Sequence, residues 1–85
     1  MLFEGSGFPK DVSALDIRNG IQRYLGIMVL VNKEKGNTRC LIETKPADAW
    51  LHFARGGDCP HLLQAHVRDR YGERAELKQV EVRGR

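Results

Sequence analysis

The chain has 85 residues, 41% of them apolar and 29% charged, with 14 lysines and arginines against 11 acids for a net charge of +3. That length makes one domain, and about 60–65% of the unfolded surface can be buried. A large cleft holding a cofactor is not expected beside so small a core, and the mild basicity permits an anionic partner without demanding one.

Cysteine usage points the same way. Cys40 and Cys59 are too few for a disulfide scaffold. Glu4, Lys10 and Asp11 interrupt any signal-peptide pattern, and the longest apolar run, Ile27 to Val31, is too short to span a membrane. A reducing, cytoplasmic setting with free thiols is expected, and no membrane partner.

Residues 1–10 contain Gly5, Gly7 and Pro9 and read as an N-terminal arm, or at most a short edge strand at Leu2-Phe3. Asp11 or Ser13 can cap a following helix. Ala14, Ile17, Ile21, Tyr24 and Leu25 share one face of it, and Asp16, Arg18, Asn19, Gln22 and Arg23 the other. Gly20 inside this helix marks a close packing contact, and Gly26 ends it.

Ile27 to Val31 is apolar on both faces and reads as a buried strand. Lys33-Glu34-Lys35-Gly36-Asn37 supplies a hairpin turn. Thr38 to Lys45 alternates, with Cys40 and Ile42 on one face and Arg39 and Glu43 on the other, as in a half-buried strand.

Pro46 opens a short helix over Ala47–Ala54 carrying Trp50 and Phe53, and Gly56-Gly57 stops it. Asp58 is a natural N-cap for a further helix that runs to Tyr71, buries Leu62, Leu63, His66 and Val67, and ends at Gly72. Glu76 to Arg83 is a last strand whose apolar phase slips between Leu77 and Val80, which suggests a bulge or an edge position. Residues 11–83 form the domain and residues 84–85 a basic tail.

The element order is then αββααβ. It implies an α+β fold with two layers, a three-stranded sheet covered by three helices. The alternative is a ferredoxin-like βαββαβ arrangement that recruits Met1 to Gly5 as a first strand and joins the two later helices into one broken layer.

The order, with Pro46-Ala47-Asp48, Trp50-Leu51-His52-Phe53, Ala54-Arg55-Gly56-Gly57 and then Leu62, Leu63 and Val67, resembles a type II KH domain over roughly residues 12–83. Such domains carry a Gly-x-x-Gly loop between consecutive helices. Here Ala54 stands at the first glycine and Asp58 follows the loop directly. The resemblance implies a non-enzymatic binder of single-stranded RNA, with Lys45, Arg55, Gly56 and Gly57 gripping the backbone and Arg74 as a flank. Glycines admit phosphates close to the main chain, and the helix N-terminus adds N–H donors. The second reading is a protein-protein adaptor or inhibitor without nucleic-acid affinity. It would use an exposed apolar patch or sheet edge to meet a partner or a second copy.

Chemistry is otherwise sparse. Cys59, His61 and His66, with His52 and Cys40, invite a metal reading. Positions 61 and 66 diverge by about 140° around a helix, whereas zinc needs converging ligands. Cys59 at a helix N-terminus lacks the assembled base and oxyanion donor of a nucleophilic site. The acids fall at no catalytic spacing. No enzyme activity, cofactor or metal is therefore expected.

Overall fold

In the computed structural model, residues 1–44 and 59–80 are described. Six elements follow in chain order: strand β1 (Leu2–Ser6), helix α1 (Ala14–Leu25), strands β2 (Val29–Asn32) and β3 (Cys40–Thr44), helix α2 (Cys59–Tyr71) and strand β4 (Glu76–Val80). The protein is α+β, with a four-stranded antiparallel sheet in the order β2-β3-β1-β4.

The three-stranded expectation is corrected by β1. The segment read as an arm or an edge strand lies in the interior of the sheet, between β3 and β4. Among the described residues the order is βαββαβ, that of the ferredoxin-like alternative. The short helix expected over Ala47–Ala54, with Trp50 and Phe53, lies outside the described residues, as do Asp58 and residues 81–85.

The reason for β1 is burial. Phe3 and Phe8, on either side of the glycines, are almost wholly buried with Ile17, Ile21, Ile27, Ile42, Leu63 and Val67. Fully burying one such side chain is worth about 1.5–3 kcal/mol. An arm in water would forfeit that stabilisation twice.

Ser13 caps α1, its hydroxyl accepting from the Asp16 N–H at 3.0 Å, and Gly26 closes it in the left-handed region. Of the expected apolar face, Ile17 and Ile21 are buried and Tyr24 is exposed. A β-carbon on Gly20 would lie 3.2 Å from Arg70 Nε and 3.5 Å from His66 Nε2, so α1 and α2 approach closely there. On α2, Leu63 and Val67 are buried as expected, whereas Leu62 faces solvent. At helical spacing Leu62 lies about 100° from Leu63, off the stripe that meets the sheet.

Both helices lie on one side, α1 over β2 and α2 over β4 and against α1. Phe3, Val29, Cys40 and Ile42 point under them. Strand alternation turns Leu2, Glu4, Leu30, Asn32, Leu41, Glu43, Lys78 and Val80 to the other side. The run expected to be buried on both faces is thus buried on one: Met28 and Leu30 are exposed.

Candidate functional site: the sheet face opposite the described helices

Cross-strand register sets the outward side chains in rows. One row reads Leu30, Glu43, Leu2, Val80, and the next reads Asn32, Leu41, Glu4, Lys78. Leu30 is 52% and Leu41 43% exposed, and Leu2 and Val80 are half-buried. Carboxylates sit among the apolar residues, Glu43 between Leu30 and Leu2, and Glu4 between Leu41 and Lys78.

A cleft of about 650 Å³ opens on this face where the β2–β3 connection rises beside the sheet. Glu4, Asn32, Lys33, Arg39, Leu41 and Lys78 are among the residues that line it. Its wall is tied down by the segment that follows β1. The Lys33 ammonium donates to the Lys10 carbonyl at 3.3 Å, the Gly36 N–H donates to the same carbonyl at 3.1 Å, and the Phe8 N–H donates to the Thr38 carbonyl at 3.1 Å. The Asn37 side-chain oxygen accepts from the Arg39 N–H at 3.0 Å, which fixes the chain as it enters β3. The residues around the cleft are therefore carried on a tethered hairpin and a four-stranded sheet.

Beneath the cleft, Cys40 points into the core. Burial pushes its thiol up to about 11, against the opposing pull of Lys33 and a backbone hydrogen bond from Gly5. It is held as an inert thiol rather than a thiolate. Among the described residues no group of His, Cys, Asp and Glu is arranged to hold a metal ion. No helix among them is long and apolar enough to cross a membrane.

On the helical side, α1 and α2 are joined by side-chain contacts. The Tyr71 hydroxyl donates to Asp16 Oδ2 at 3.0 Å, and its pKa is pushed up to about 12 by burial and by that bond. The Arg70 guanidinium lies 5.3 Å from the Tyr24 ring centroid, and Tyr24 stacks at a tilt on His66 with centroids 5.8 Å apart. His66 Nε2 is buried with no hydrogen-bond partner among the described residues. Burial first, and Arg70 second, lower the pKa of His66.

Of the residues that the KH resemblance singled out, Lys45, Arg55, Gly56 and Gly57 lie outside the described residues. Arg74 is exposed in the turn before β4, with its carbonyl against Gly7 at the far end of β1. Thr44, the last described residue before Lys45, sits at the near end, its N–H donating to the Met1 carbonyl at 2.9 Å. At about 3.3 Å per residue, the stretch from Met1 to Gly7 puts these two ends roughly 20 Å apart.

Sequence reading missed Leu30 and Leu41. The signal for Leu41 was present: it shares the outward phase with Arg39 and Glu43, an apolar residue on a face otherwise read as charged.

No protein-family model matches the chain, and no curated protein or solved structure matches it.

Proposed function

We propose that the chain is a protein-interaction domain that binds its partner through the face of the sheet that neither described helix covers. The observation that carries this reading is the make-up of that face. Exposed Leu30 and Leu41 stand on a hydrogen-bonded four-stranded surface, with charges of both signs set between them. Apolar side chains with polar and charged groups set between them give the mixed surface that non-obligate protein interfaces present. A nucleic-acid surface is dominated by cations, and a single-strand platform adds aromatic rings. Among the described outward residues no aromatic ring occurs, and Glu4 and Glu43 occupy its two central strands. The RNA reading would rest on Arg55, Gly56 and Gly57, and no observation among the described residues favours it.

The test compares immobilised wild-type chain with Leu41→Lys in extract of the native cell, beside anisotropy of a labelled single-stranded RNA pool. A specific protein retained by the wild type, reduced about tenfold by Leu41→Lys, is the expected result, with no salt-dependent RNA binding. RNA binding that is lost in a Gly56→Asp/Gly57→Asp variant and kept in Leu41→Lys would replace this reading with the RNA one.

A further inference from the structure

The cleft carries more information than the face as a whole. Leu41 lines it, with Arg39 two residues away on the same side of β3 and Lys33 and Lys78 in the same lining. Asn32 and Asn37 add side-chain amides. Asn37 uses its oxygen on the Arg39 N–H, which leaves its NH₂ group as a donor. Among the described residues the donors around the leucine are thus one guanidinium, two ammonium groups and amides. Glu4 and Glu34 are the acids of the lining.

From this arrangement we propose that the cleft receives an acidic peptide segment of a partner protein, with an apolar side chain seated on Leu41 and flanking carboxylates on Arg39, Lys33 and Lys78. The inference rests on the protein-interaction reading and names the partner's chemistry.

Three features select this occupant. The guanidinium of Arg39 can take a carboxylate in a bidentate pair, and the two lysines serve as point charges around it. A volume of about 650 Å³ accommodates a few residues of chain rather than a folded surface. The chain's net charge of +3 draws in an acidic segment and resists a second copy of itself. Glu4 and Glu34 then act as selectivity elements: a uniform polyanion meets them as repulsion, whereas a peptide can place an uncharged residue opposite each.

The experiment titrates the full-length chain into a labelled peptide of alternating Glu and Asp with a single central Leu. The same peptide with Ser for Leu, a Lys-rich counterpart and a single-stranded oligouridylate serve as competitors. The expected result is saturable binding that weakens with salt, falls about tenfold in Arg39→Gln and in Lys78→Gln, and falls again when the peptide Leu becomes Ser. Arg39 and Lys78 are exposed, so both variants fold, which circular dichroism verifies. Equal displacement by oligouridylate, or indifference to Arg39→Gln, would overturn the acidic-peptide inference. If the extract partner is lost on Leu41→Lys yet kept on Arg39→Gln, this inference falls and the sheet-face reading stands. If the partner survives Leu41→Lys as well, both fall.

Discussion

A β-carbon added at Gly5 would lie 2.5 Å from Cys40 Sγ and 2.8 Å from Phe8 Cε1, so the glycine is where the core closes over β1. Gly7 answers a different need. Its φ of 72° lies in the left-handed region, and a β-carbon there would run into the Arg74 carbonyl oxygen. Backbone cannot yield as a flexible side chain does. Gly7→Ala is therefore expected to lower stability by at least about 2 kcal/mol, from the left-handed penalty together with the clash. Urea denaturation of the two proteins measures it, and a loss below a few tenths would remove Gly7 as the pivot between β1 and the turn before β4. These two glycines are also why the N-terminus misled the sequence reading. Gly5, Gly7 and Pro9 look like chain breakers, and only the burial of Phe3 and Phe8 reveals that the first glycine makes room for packing and the second turns the chain. Residue type alone does not separate a glycine that loosens the chain from one that a neighbour needs.

The alternating strand β3 was legible as an element because its two faces differ: Cys40 and Ile42 go in, Arg39 and Glu43 go out. The run Ile27–Val31 was not, since an unbroken apolar stretch carries no phase to say which face stays wet. The edge position of β4 was one of the two options that its slip of apolar phase offered, but how that edge is guarded was not legible. In β4, alternation aims the Leu77 N–H and the Ala75 carbonyl away from β1, and α2 meets both with one side chain. Gln64 Oε1 accepts from the Leu77 N–H at 2.8 Å, and Gln64 Nε2 donates to the Ala75 carbonyl at 3.1 Å. Gln64 thus stands in for a missing strand over the start of β4, a device that blocks pairing with another chain. Gln64→Ala would strand both backbone groups in a partly buried place at a cost of about 1–3 kcal/mol. The melting temperature should drop, and the Leu77 amide should exchange with solvent faster than its β4 neighbours. An unchanged Leu77 exchange rate would show that the glutamine does not guard this edge.

For the molecule as a whole, stability is expected to fall in strong base, where the unfolded chain gives up the Cys40 and Tyr71 protons before the folded chain does, and in acid through His66. His66 sits in the α1–α2 seam beside Tyr24 of α1, with Arg70 and Asp69 on its own helix, and its pKa is lowered, chiefly by burial. Above about pH 6.5 it is neutral whether folded or unfolded and adds no pH dependence. Below that, the unfolded chain binds a proton that the folded chain resists, so stability falls with pH until the lowered folded value is passed. A melting-temperature series in acid should fall less steeply for His66→Gln than for the wild type. Parallel slopes would assign the acid sensitivity to other groups. The candidate site belongs to this scale too, which is why little of it was legible in the sequence. The outward phase of Leu41 can be read from its neighbours, but that the helices leave that side open depends on both connections crossing to the same side of the sheet. The central place of β1 reaches further still, into the time course of synthesis. Leu2 pairs with Glu43 on one side and Val80 on the other. β1 gains β3 as one neighbour and must wait for β4 as the other, which at about 5–20 residues per second is a delay of several seconds. Until then Phe3 has no complete core to enter, and one edge of the strand stays open.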